Sequence, residues 1–207
     1  LVLVCAPPSP GACAATYYEA MEKMGIPKRE ILVSRVEKAR DAQAEAKTEF
    51  TDALSRFLEL TRVEPGEIET VYRQLAGELE DCEARATEVR DRIQAIEDVS
   101  EALFDEWRDE AASITDSADR RESERLLRET RARSVTLLRT MRTAADRMDP
   151  ILTKFRDKVL VLKANLNAQA VAGLSGTATA LEADVSRLVA DMERAIQEAE
   201  SFLAGLQ

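Results

Sequence analysis

The sequence predicts an all-α fold: an elongated antiparallel helical bundle or coiled coil whose second and third helices form a long hairpin stalk. Three observations carry this. Alanine, leucine, glutamate, lysine and arginine make up about half of the chain, against 7 glycines and 6 prolines in 207 residues, the profile of long helices. Aromatic residues are only 4% and β-branched runs are few, which argues against a sandwich, a barrel or a parallel sheet. From Pro27 onward apolar residues recur four and three apart, the heptad signature of helices that pack along a seam.

Four helical segments follow from that spacing. The first, about 28–63, carries Leu32, Val36, Ala39, Gln43, Ala46, Phe50, Ala53, Phe57 and Leu60 on one stripe, and Glu64-Pro65-Gly66 is expected to end it. The second, about 67–113, runs from Tyr72, Leu75 and Leu79 through Cys82, Ala86 and Ile96 to Leu103 and Trp107. Ser113 to Ser117 then supplies a polar turn with candidate caps. The third, about 118–172, keeps phase from Leu138 and Met141 to Leu162 and Leu166. Pro150 reads as a kink in a continuing helix, because Met148 and Leu152 hold their spacing across it. Gly173 to Gly176 is expected to end that segment, and Thr179-Ala-Leu-Glu182 reads as a capping box that starts the last one, whose seam runs from Leu181 to Leu206.

At about 1.5 Å per residue the segments measure roughly 54, 70, 82 and 45 Å, and short turns between them require antiparallel neighbours. The outer two are too short to cover the middle two. The expectation is a four-helix base near the two glycine turns and a two- or three-helix stalk reaching residues 105–130. Residues 15–207 read as a single elongated helical domain, since every seam continues without a linker.

Residues 1–14 read as a truncated leader. Leu1 to Ala6 resembles the tail of a signal-peptide apolar region, followed by a proline-rich stretch and small residues around Cys13. Two cleavages fit. A cut before Cys13 leaves a thiol for lipidation, as in bacterial lipoproteins, although Pro10 stands where such a box usually carries leucine. A cut after Ala14 releases a soluble chain. No stretch beyond the leader approaches the length of a transmembrane helix. Tyr17, Met21 and Met24, with Tyr18 beside them, suit either a membrane interface or a cap on the bundle core.

Charge and residue types exclude most chemistry. The chain carries 29 basic and 39 acidic residues, a net charge of −10, which repels a phosphate backbone, so no nucleic-acid partner is expected. With no histidine, the common catalytic triads and histidine-ligated metals are absent. Three scattered cysteines make neither a zinc site nor a disulfide framework. No catalytic residue, cofactor or metal site is therefore expected, and the carboxylates read as solubilising charge.

A few residues stand out. Gln43 is polar within an apolar seam, a device that sets register, with a ligand contact as the alternative. Cys82, on the seam of the second segment, reads as a small buried hydrophobe. Trp107 keeps the heptad phase and so reads first as core, and otherwise as a partner-binding anchor near the stalk tip. Residues 97–110 are strongly acidic, whereas 120–147 hold nine arginines and no lysine. Antiparallel pairing sets these two against each other. The functional alternative is an arginine face for an anion or partner, with Arg125, Arg128 and Arg131 at its centre.

The stretch from Cys13 to Val33, together with Arg40-Asp-Ala-Gln43, Glu101 to Trp107, Met148 to Ile151, Phe155-Arg-Asp157 and Leu162 to Ala168, resembles the bacterial domain-of-unknown-function family 2959 over roughly 13–203. The resemblance implies a helical, coiled-coil cell-envelope protein with a lipoprotein signal whose cysteine matches Cys13. It implies no activity. The functional expectation is a non-enzymatic module on the periplasmic side of the envelope, held at the outer membrane by a lipid on Cys13, since Ala14 is not the aspartate of inner-membrane retention. Its partner would be another envelope protein or a second copy. The alternative is a soluble cytoplasmic coiled-coil adaptor, which resembles the arms of DNA-repair ATPases in its heptads alone.

Overall fold

A computed structural model describes residues 17–18, 20–60, 67–164 and 168–206. Five long helices follow one another: α1 (Lys28–Leu60), α2 (Ile68–Ser113), α3 (Ser117–Asp146), α4 (Met148–Ala164) and α5 (Ala168–Ala204). No strand occurs among the described residues. α1 packs on α2 and α5, α2 on α3 and α4, and both of these on α5, closing a four-sided bundle whose third side is made of two helices.

Cross-helix contacts show every neighbour to be antiparallel. Along α1 and α2, Lys28 meets Glu106 at 3.1 Å and Arg85 meets Glu45 at 2.6 Å. Arg142–Glu97 and Arg156–Glu83 tie α3 and α4 to α2, and Arg147–Asp191 and Lys154–Asp184 tie them to α5. The expected seams form most of the core; on the second, Val71 is buried while Tyr72 and Leu103 are only partly so, and Trp107 is not part of the core. Phe50, Phe57, Phe155 and Phe202 are all but inaccessible, and Phe57 meets Phe155 edge to face at 5.4 Å. α3 buries a broader stripe than its heptad positions alone, adding Leu137 and Ala144 to Leu138, Met141 and Ala145, because it faces both α2 and α5.

The third segment departs from expectation in two places. Pro150 is the third residue of α4 and has no N–H for the Asp146 carbonyl, so the helix is interrupted for one residue at Arg147 (φ −73°, ψ −15°). Its amide turns back to the Ala144 carbonyl at 3.2 Å, and Met148 stays fully buried on the seam. Gly173 to Gly176 does not end a helix. That stretch lies inside α5, which already begins at Ala168, and Thr179 to Glu182 is mid-helix rather than a capping box. Leu174 is completely buried one heptad before Leu181, and its burial outweighs the cost of about 1 kcal/mol per helical glycine. Leu166 and the expected turn at 64–66 lie outside the described residues.

The hairpin of α2 and α3 is present. Asp116 caps α3, accepting the amides of Ala118 at 2.7 Å and Asp119 at 3.0 Å. Its uncovered length is shorter than expected, because α1 begins beside Glu106 and Arg29 donates to the Leu206 carbonyl just past α5. Only the tip beyond about residue 107 stands free of α1 and α5. The expected charge pairing across the hairpin is also largely replaced. Among the described residues Arg142–Glu97 is its one ion pair between α2 and α3, while Arg125, Arg128 and Arg108 find carboxylates one turn away on their own helices. Neighbours three and four apart on an exposed helix are closer partners than the facing helix provides.

Candidate functional site

Where α1 begins and α5 ends, α2 and α3 continue, and this step leaves a groove of about 370 Å³. Leu103 and Trp107 of α2 and Leu126 and Thr130 of α3 form its walls, and Arg29 and Leu206 close its lower end. Trp107 is partly buried, and its indole Nε1 donates to Ser123 Oγ at 3.0 Å, which fixes the ring against α3. Leu126 is 41% exposed, the consequence of a seam that runs past the helices able to cover it. Glu106 and Glu110 give one rim acidic character. Burial works to lower the Lys28 ammonium, but its bonds to Glu22 and Glu106 outweigh that and hold it above its ordinary value.

The lower end is built around the last turn of α5, where the Gly205 amide is shared between the Ser201 carbonyl at 3.3 Å and the Phe202 carbonyl at 3.2 Å. Arg133 adds a further donor, reaching Ser201 O at 3.0 Å and Phe202 O and Gly205 O at 3.3 Å, with its guanidinium 5.7 Å from the Phe202 ring centre. Charge of this sign at a helix C-terminus is favourable.

The structure separates the residues singled out for interaction. Trp107 lines the groove. Arg125 lies on the outer face of α3 and is held between Glu122 and Glu129, which keeps it well above its ordinary value through those hydrogen bonds. Arg128 stands 3.9 Å from Glu124, and Arg131 lies on the other side of the hairpin, beside Glu97, Glu101 and Asp105. Gln43 is wholly buried; its Nε2 donates to Met141 O at 3.4 Å, and its Oε1 has no partner. Cys82 is buried, and burial, followed by the nearby Glu49 and Glu78, pushes its thiol up to about 12, so it is protonated and inert at neutral pH. Cys13 lies outside the described residues.

The segment before α1 packs on the bundle. Tyr18 is 3% exposed and Met21 packs against the core, whereas Tyr17 and Met24 are exposed. Arg35 sits 5.9 Å and 5.8 Å from the centres of the Tyr17 and Tyr18 rings and donates to Ala95 O at 2.8 Å, tying this segment to α2.

Three buried polar contacts were not anticipated. Asp191 is buried between Arg147 and Arg194, Glu78 takes Arg56, and Ser100 meets Ser134 at 3.3 Å. Of these the serine pair had a readable signal, since Ser100 stands between Ile96 and Leu103 on the expected seam of the second segment and Ser134 stands four residues before Leu138 on that of the third. Among the described residues no group of three or more acidic or cysteine side chains is placed to hold a metal ion, and no helix is long and apolar enough to cross a membrane. A family model described as a protein of unknown function (DUF2959) matches residues 17–206. No curated protein and no solved structure matches the chain.

Proposed function

The chain belongs to the DUF2959 family of proteins of unknown function, and we propose that it is a non-enzymatic structural or protein-interaction module of the bacterial cell envelope. In this reading Cys13 carries a lipid and holds the bundle on the periplasmic side of the outer membrane. The observation that supports an interaction role is the groove at the step in the bundle, where Trp107 is fixed by Ser123 beside a half-exposed Leu126. Rigid aromatic anchors in apolar clefts carry a large share of binding energy at interfaces.

The leader supports the anchored location. Each buried CH₂ of an acyl chain contributes about 0.8 kcal/mol, so several chains give lasting attachment without a transmembrane helix. Tyr18 is packed on the bundle and lies five residues from Cys13, no more than about 18 Å even for a fully extended chain, so an acylated Cys13 would keep the bundle close to the lipid surface.

The test is a photo-cross-linking residue in place of Leu126 in the full-length gene product, irradiated in cells. The expected result is an adduct with another envelope protein that is lost when Trp107→Ala is added and helicity is unchanged. An adduct with cytoplasmic proteins alone would overturn this reading.

A further inference from the structure

A second groove, of about 410 Å³, runs along the outer face of the α2–α3 hairpin, on the side away from Trp107. Its floor is Phe104 and Leu138, nearly buried, with the Ser100–Ser134 contact between them. The α2 bank presents Glu97, Glu101 and Asp105, one per helical turn. The α3 bank presents Arg131 and Val135, and the same flank continues to Arg139 one turn on. Val135 is 59% exposed. Glu97 is engaged by Arg142 and Asp105 by Arg108, whereas among the described residues Glu101, Arg131 and Arg139 form no ion pair.

We propose that this face binds a second copy of the chain, in a parallel dimer whose twofold axis runs along the bundle. The inference goes beyond the proposed function and holds wherever the protein resides. A groove with an acidic bank on one side and a basic bank on the other is complementary to itself under one twofold arrangement. Rotation about an axis parallel to the helices lays α2 of one copy over α3 of the other, so Glu101 and Asp105 meet the second copy's arginines on both sides of the axis. Rotation about an axis across the helices sets carboxylates against carboxylates and arginines against arginines. Like-charge juxtaposition rejects that arrangement. A closed twofold contact of this kind uses the same patch on both chains, and it covers the exposed Val135 on the basic bank of each copy. It also places both chain starts at the same end.

Sedimentation velocity of the full chain carrying Cys13→Ala tests this. The expected mass is twice the 23.0 kDa of one chain, with dissociation as salt is raised. Glu101→Arg and Arg131→Glu, both on exposed positions, should each weaken the dimer about tenfold or more while far-UV circular dichroism stays unchanged. An equimolar mixture of the two variants should dimerise again, because each then offers the charge that the other lacks. That recovery also shows that both variants are folded. A monomer at concentrations up to about 100 μM, a dimer indifferent to both reversals, or a mixture that stays monomeric would overturn the proposal.

Discussion

Gly205 leaves open the space that the Arg133 guanidinium fills: a Cβ at position 205 would stand on Arg133 itself. The absence of a side chain there lets one arginine of α3 donate to three carbonyls at the end of α5, two of which also accept the Gly205 amide. A glycine of this kind is set by a neighbour's approach rather than by backbone conformation.

Gly205→Ala should therefore displace Arg133 and cost about 1–2 kcal/mol, the value of charge-assisted hydrogen bonds partly replaced by water. For a chain of this length that lowers Tm by about 2–8 °C in a thermal melt. In an Arg133→Ala background the same substitution should be close to neutral, and an equal loss in both backgrounds would contradict the pairing.

Gln43→Leu should raise Tm. The wild-type side chain is fully buried with one long hydrogen bond and an unpartnered Oε1, and an apolar residue of similar size removes that burden of about 1–3 kcal/mol. If Gln43 sets register, the stabilised variant should also show extra sets of amide resonances or a changed oligomeric state. A fall in Tm with a single set of resonances would contradict both statements.

Two carboxylates should act in opposite directions with pH. Asp184 is held below its ordinary 3.8 by its hydrogen bond to Lys154, which outweighs burial, with help from Arg187. Its contribution is complete above 3.8 and is lost as pH falls from there through the folded value. Asp184→Asn should lower Tm at about pH 7 and not at about pH 2. Glu49 is raised above its ordinary 4.5 by burial and by the neighbouring Asp81 and Glu78, so its stabilising protonated form is present below 4.5 and lost as pH rises through the folded value. Glu49→Gln should raise Tm at about pH 7 and give no gain at about pH 3; the reverse pattern would contradict the assigned causes.

Cys82 should resist alkylation in the folded protein, since its thiol is raised to about 12 and is 1% exposed. Peptide mass mapping after iodoacetamide should find position 82 modified only in denaturant. Modification in the native state at neutral pH would show a reactive thiol.

The seams of the first and last segments were fully legible, because period and burial are one property for a helix with two neighbours. Every expected seam residue from Leu32 to Leu60 and from Leu181 to Leu206 is buried. The end of the third segment was not, because glycine only weakens a helix and the buried Leu174 decides the matter through tertiary contact. Pro150 was legible as a disturbance, and its effect falls upstream at Arg147, where the missing N–H is felt. Of the candidate site, Trp107 could be picked out by residue type, whereas its heptad phase pointed to the core, and the structure leaves it partly buried in the groove instead. Its separation from Arg125, Arg128 and Arg131 could not, since these arginines sit on different sides of α3 and the choice between facing and same-helix partners is made by side-chain reach. The groove itself depends on where α1 starts and α5 stops relative to α2, a relation between distant segments that periodicity does not encode.

Attachment to the envelope through Cys13 is tested by the intact mass of the full-length gene product from fractionated cells, beside a Cys13→Ala version. The expected result is a chain that begins at Cys13, carries added acyl mass and sediments with outer membranes, and that leaves the membrane fraction on substitution. An uncleaved, unmodified chain in the cytosol would contradict it.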